Sequence, residues 1–184
     1  LLYYQPKVKL DTGLIGGVEA LLRWQRPGHG LVFPAEFVSV MEQTGMIVRV
    51  GEWIIDSACR QVAAWIADGT GAVRVAVNVS SRQFVEGDLE ASVVAALERH
   101  GVDAHLLELE LTESALMSNA DHTIAVLGKL RARGIRIAID DFGTGYSSLA
   151  YLKRFPIDKL KIDIAFVRDV TVNPDDAAIA LAII

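Results

Sequence analysis

Two carboxylates side by side, Asp140 and Asp141, close an otherwise aliphatic stretch in residues 135–149, IRIAIDDFGTGYSSL. Ile135, Ile137 and Ile139 alternate with Arg136, Ala138 and Asp140, the period of a β-strand. Adjacent carboxylates at a strand end repel each other and lose hydration, which a divalent cation would offset. Gly143 and Gly145 follow, and allow positive φ or a close backbone approach to a ligand or metal. Taken alone, the pair reads more readily as a solvated acidic turn after a core strand. The neighbouring strands change that balance.

The same alternation recurs along the chain. Glu19 and Arg23 share one parity of residues 14–24. That carboxylate and guanidinium could hold a metal and a phosphate on one side, or pair with each other at a surface. Val73, Val75 and Val77 oppose Arg74, Ala76 and Asn78; Leu107, Leu109 and Leu111 oppose Glu108 and Glu110; Lys161 and Asp163 share a parity of residues 159–163. Strand after strand thus ends its second face in a polar or charged residue: Glu19, Asn78, Glu110, Asp140, Lys161. Solvated edges explain five such ends poorly, whereas in a barrel they would converge at the C-terminal rim. Three carboxylates and an amide oxygen are hard donors, suited to Mg²⁺ or Mn²⁺ rather than a thiol-seeking metal. Residue chemistry alone therefore reaches a Mg²⁺- or Mn²⁺-dependent α/β enzyme, with phosphate-ester hydrolysis as a candidate reaction and no named substrate.

The elements that must position these groups follow from periodicity and punctuation. Residues 3–10 and 14–24 predict a hairpin around Asp11-Thr12-Gly13. Residues 25–33, with Pro27, Gly28, His29 and Gly30, read as a loop in which His29 is solvated. Helices are predicted from Pro34, over 47–68, over 89–100 up to Gly101, over about 120–133 up to Gly134, over 147–154 before Pro156, and from Pro174 onward. Ser80 is placed as an N-cap, and Trp53 and Trp65 as core or interface bulk. Two strands, then helices, then alternating strand and helix is the pattern of a parallel sheet.

The 184 residues predict one domain spanning 1–184, and with a net charge of −5 they argue against bulk nucleic-acid binding while leaving room for one nucleotide held through metal. A single cysteine, Cys59, excludes an internal disulfide framework, suits a reducing cytosol and reads as a core residue. No apolar run reaches membrane-spanning length and no signal-peptide pattern is present. The chain opens on LLYYQP without Met and stops within a helical pattern, so a longer parent is expected.

GVEALLRW, NVS, LELTES, IDDFGTGYSSL and LKID, in this order and spacing, resemble the EAL domain, the cyclic di-GMP-specific phosphodiesterase of bacterial signalling. The resemblance implies a modified TIM barrel whose first strand is antiparallel to the rest, here lacking its last two strands. It implies Glu19, Asn78, Glu110 and Asp140 as metal ligands, Asp141 on a second metal and its water, and Lys161 as general base or as the group that positions the water. Glu19, Asp141 and Lys161 are thereby the catalytic group. Glu113 resembles the glutamate that pins the glycine loop of residues 142–148, including Gly143, Gly145, Tyr146 and Ser147. Gln5, Arg23 and Pro34 resemble substrate contacts, Arg23 to a phosphate.

The reaction implied is hydrolysis of one phosphodiester bond to linear pGpG, assisted by two Mg²⁺ or Mn²⁺ ions. Lys161 as a base demands a lowered pKa, which nearby metal cations and burial would produce; the alternative is a salt bridge to Asp140 or Asp163 with water activated by metal alone. The resemblance further implies cyclic di-GMP as partner, a homodimer, and sensory or GGDEF-type domains in the parent chain. No polymeric nucleic acid and no membrane contact by this domain are expected, and the domain is expected in the cytoplasm whether or not its parent carries an anchor. The family's two further strands carry a glutamate ligand and a glutamine near the substrate. A molecule ending at Ile184 is therefore expected to be inactive and poorly soluble. The competing reading is a catalytically inactive EAL-type receptor, which degenerate members become on losing ligands such as Glu19 or Asp140, both present here.

Overall fold

The aliphatic–polar alternation becomes one curled sheet. The computed structural model describes residues 1–117, 119–143 and 153–183. Its elements are β1 Leu2–Val8, β2 Ile15–Leu22, β3 Trp24–Arg26, β4 Gly30–Val32, α1 Pro34–Thr44, α2 Met46–Ala67, β5 Val75–Asn78, α3 Ser81–Val85, α4 Leu89–His100, β6 Leu107–Thr112, α5 Glu113–Met117, α6 Ala120–Ala132, β7 Arg136–Phe142 and β8 Lys159–Ile162. The helices Ile164–Val167 and Pro174–Ile183 follow.

Six strands pair in the order β1-β2-β5-β6-β7-β8. β1 is antiparallel to β2, and every later pairing is parallel. Parallel neighbours need a crossover between them, and helices supply those crossovers here. The sheet cannot be flat. β2 and β8 stand four strand steps apart, roughly 19 Å in a flat sheet. Yet Lys161 Nζ on β8 lies 3.3 Å from Glu19 Oε2 on β2. The strands therefore form a half barrel, an α/β architecture with the antiparallel first strand the sequence predicts.

One parity of each strand faces outward under the helices and makes the core. Val75, Val77, Leu107, Leu109, Leu111, Ile137 and Ile139 are all at most 1% exposed. They pack with Ile55, Ala58 and Val62 of α2, Val93 and Ala96 of α4, and Leu127 and Leu130 of α6. Each fully buried aliphatic of this kind stabilises the fold by about 1.5–3 kcal/mol, and this anchorage holds the opposite, polar parity in place. The caps are local. The Asp88 side chain accepts from the Ala91 N–H at 2.9 Å at the start of α4, and Gly101 with φ 62 closes it.

The structure departs from the sequence reading at several points. Residues 25–33 contain a small ribbon, β3 paired with β4 around the Pro27-Gly28-His29 turn, and β2 ends at Leu22. Ser80 is the N-cap of α3 as the sequence predicts, its backbone N–H donating to Gln83 Oε1 at 3.0 Å in a capping box, and its hydroxyl also donates to Glu42 Oε1 at 2.7 Å. Trp65 packs edge-on against Tyr4, ring centroids 5.0 Å apart, whereas Trp53 is 43% exposed and outside the core. The helix expected over 147–154 falls largely outside the described residues. Among the described residues no helix is long and apolar enough to cross a membrane.

Candidate active site

Each carboxylate at the inner rim is delivered by a different strand. Asn78 and Glu110 sit level with each other in the pairing of β5 and β6. Glu19 is level with Ala76, one pleat lower, and Asp140 with Thr112, one pleat higher. This stagger is what strand tilt in a barrel requires for side chains from successive strands to meet. They do meet: one oxygen from each of Glu19, Glu110 and Asp140 lies within 4.8 Å of the others. Lys161 Nζ donates to Glu110 Oε2 at 2.7 Å, Asp140 Oδ2 at 2.8 Å and Glu19 Oε2 at 3.3 Å. Asn78 donates its amide N–H to Glu19 Oε1 at 2.9 Å, which leaves its amide oxygen free of that bond. The five strand-end groups singled out in the sequence thus form one cluster.

Electrostatics within the cluster are strongly biased. Burial alone would lower the Lys161 pKa, but its hydrogen bonds to Asp140 and Glu110 and the charges of Glu110 and Glu19 outweigh it and hold the ammonium well above its ordinary value. Among these side chains alone Lys161 is a cation and a donor. Glu110 is fully buried, and burial pushes its carboxyl up against the pull of Lys161 and Lys7. Asp141 has φ 52, the only non-glycine among the described residues at positive φ. Its carboxyl is pushed up by desolvation, then by Asp140 and Asp163. Its backbone N–H donates to Asp140 Oδ1 at 3.0 Å.

The remaining predicted residues surround this cluster. Gln5 on β1 is directly opposite Glu19. Arg23 does not pair with Glu19; it donates to the Leu22 carbonyl at 2.8 Å and lies over the Phe33 ring at 4.9 Å. Its Nε is buried and, among the described residues, without a hydrogen-bond partner. Pro34, at the start of α1, lines a cavity of about 730 Å³ that also takes in Leu22, Asn78, Glu110 and Thr112. Glu113 opens α5, and its Oε2 accepts from the Gly143 N–H at 3.4 Å. Gly143 has φ 103, and a Cβ there would stand 2.8 Å from the Phe166 ring, so glycine is required twice over. Gly145, Tyr146 and Ser147 lie outside the described residues.

Three interior residues escape the sequence reading: Lys7, Glu108 and Lys159. Each shares the parity of a residue that was singled out, Gln5, Glu110 and Lys161 respectively. That alternation is the signal that could have found them. The donor set itself suits a hard divalent ion: carboxylates from three strands converge, with an amide oxygen beside them.

The sequence model of the EAL domain matches residues 1–184. The chain is 50% identical over 184 residues to the bifunctional diguanylate cyclase/cyclic di-GMP phosphodiesterase MucR of Pseudomonas aeruginosa, covering all of this chain and 27% of that protein. It is 45% identical over 183 residues to the cyclic di-GMP phosphodiesterase NbdA of the same organism, covering 100% of this chain and 23% of that one. It thus spans about a quarter of the length of these curated relatives. The solved complex of the PaMucR phosphodiesterase with c-di-GMP superimposes with a TM-score of 0.93 at 49% identity, over 99% of this chain and 74% of that one. Five motifs in order, a half barrel with an antiparallel first strand and this agreement along the whole length have one meaning: the chain belongs to the EAL domain family.

Proposed function

We propose that this chain hydrolyses cyclic di-GMP to linear pGpG in a divalent-metal-dependent reaction. The observation that carries the reading is the convergence of Glu19, Glu110 and Asp140 oxygens within 4.8 Å, in a chain 50% identical to a protein named as a cyclic di-GMP phosphodiesterase. Glu19, Asn78, Glu110 and Asp140 would hold one Mg²⁺ or Mn²⁺, and Asp141 would help hold a second. When bound, such ions supply Lewis acidity that activates water and neutralises charge on the phosphoryl oxygens.

The chain's own groups account for the rest. The buried, unpartnered Arg23 Nε suits a phosphate oxygen, and Phe33 under the guanidinium fixes its plane. The cavity lined by Pro34, Asn78 and Glu110 is within the size range of small-molecule sites, and Gln5 stands across from Glu19 on the neighbouring strand. Lys161 would act beside the attacking water, donating to it as an ammonium or, with its pKa lowered by the bound ions, accepting its proton. The net reaction adds one water across one P–O bond of the cyclic dinucleotide.

The test is turnover of cyclic di-GMP by the full-length protein with Mn²⁺ or Mg²⁺, followed by anion-exchange chromatography beside a Glu19→Gln variant. Wild type is expected to yield pGpG, and the variant to lose about a thousandfold or more. Binding without turnover would instead make the domain a receptor. Neither binding nor turnover would leave only the fold.

A further inference from the structure

Glu110 is the deepest carboxylate of the cluster, 0% exposed, and its two oxygens have different partners. Oε2 faces the rim, 2.7 Å from Lys161 Nζ. Oε1 faces away from it and accepts from Lys7 Nζ at 2.5 Å. Lys7 lies on the antiparallel strand β1, 103 residues from Glu110 in sequence and separated from β6 by β2 and β5. Its side chain can cross because the inner faces between are nearly bare. Gly17 is opposite Lys7 on β2, and Ala76 is opposite Glu108 on β5. Lys7, Gly17, Ala76, Glu108 and Lys159 all line one cavity of about 320 Å³ beneath the rim cluster. Lys7 also bonds Glu108 Oε1 at 3.0 Å, and Lys159 holds both oxygens of that buried glutamate at 2.8 and 2.7 Å.

We propose that Lys7 is a positioning residue for the metal site: by occupying Glu110 Oε1 it fixes the carboxylate's rotation, so that Oε2 alone is presented to the oxygens of Glu19 and Asp140. This rests on the metal-dependent phosphodiesterase reading above. A carboxylate with both oxygens free can turn or bind in two-oxygen fashion, whereas one pinned from below offers a single, directed donor. Groups that orient a metal's ligands in this way typically set affinity by about 10–100-fold. Lys159 supplies the internal comparison: it belongs to the same ion-pair network and bonds the buried Glu108, while its bonds do not reach Glu110.

The experiment is calorimetric titration of the full-length protein with Mn²⁺ in the absence of substrate. Wild type, Glu19→Gln, Lys7→Met, Lys7→Arg and Lys159→Met are compared, each with its melting temperature and its activity as a function of Mn²⁺. Lys7→Met is expected to weaken Mn²⁺ binding about tenfold or more, to raise the Mn²⁺ needed for half-maximal activity in parallel, and to recover most of its kcat at saturating Mn²⁺. Lys7→Arg should restore much of the affinity, and Lys159→Met should stay within about twofold of wild type. Should Lys7→Met fail to fold, Lys7→Gln, which is uncharged and one atom shorter, takes its place against Lys159→Met with the same loss of affinity expected.

If wild type binds Mn²⁺, Glu19→Gln does not, and the Lys7 and Lys159 variants are alike in affinity, the positioning role is overturned and the network is merely structural. If wild type itself binds no Mn²⁺, the metal reading fails and this inference goes with it.

Discussion

Cys59 sits on α2 at 1% exposure, and burial, followed by the charge of Asp56, pushes its thiol up to about 12. An unfolded thiol ionises near 8.5, as a rough reference value. The folded state thus keeps the proton that the unfolded state gives up. Stability from this residue is intact below the unfolded pKa and is lost as pH rises toward the folded one. Between pH 7.5 and 9.5 the wild type should lose about 1.4 kcal/mol more unfolding free energy than Cys59→Ala, by linkage. Urea unfolding at the two pH values checks this, and parallel losses would show that the thiol is not sealed. Cys59 was legible from the sequence as a core residue because its neighbours have helical period. The site residues were legible for a related reason: in a strand, parity alone says which side chains share a face. What parity cannot give is the bond from Lys7 to Glu110, because that depends on register across β2 and β5, and on Gly17 and Ala76 being too small to block it.

At the scale of elements, the outer parity of the strands holds the inner one in place. Leu109 is 0% exposed and stands between Val77 on β5 and Ile137 on β7, under the helices. Leu109→Ala should therefore lower unfolding free energy by about 3 kcal/mol, whereas Val172→Ala, at a residue 78% exposed, should change it by less than ~0.5 kcal/mol. Denaturant midpoints of the two variants decide it; similar shifts would mean that the sheet–helix layer is not the core. The long elements, such as α4 at Leu89–His100, were readable to the residue because a helical stripe and the C-terminal glycine agree. The ribbon β3–β4 was not, since three-residue strands are too short to show a period and only their pairing across Pro27-Gly28-His29 defines them. Ser80 is legible as a cap from residue type, and the structure adds what residue type could not give, its hydroxyl donating to Glu42, 38 residues away.

For the molecule as a whole, the site has no local existence. Lys161 and Glu19 are 142 residues apart in sequence, and Lys161 and Glu110 are 51 apart. Each contact spans strands that meet only when the sheet curls, and the curl is sustained by helices packed on its convex face. No single hairpin or βα unit carries more than two of the five rim groups, Glu19, Asn78, Glu110, Asp140 and Lys161. Metal binding and the global fold of the domain should therefore be lost in one step. Hydrogen exchange of the full-length protein across a urea series, read on peptides from β2, β6 and β8, should show protection disappearing at the same urea concentration as Mn²⁺ binding. Leu109→Ala should move all of these midpoints down together, because it weakens the layer on which every rim group depends. Mn²⁺ binding lost well before β6 protection would mean that the rim is an independently unfolding unit. Lys161 and its three carboxylates would then hold the curl only weakly, and the stagger of Glu19, Glu110 and Asp140 would owe less to the sheet than their register implies.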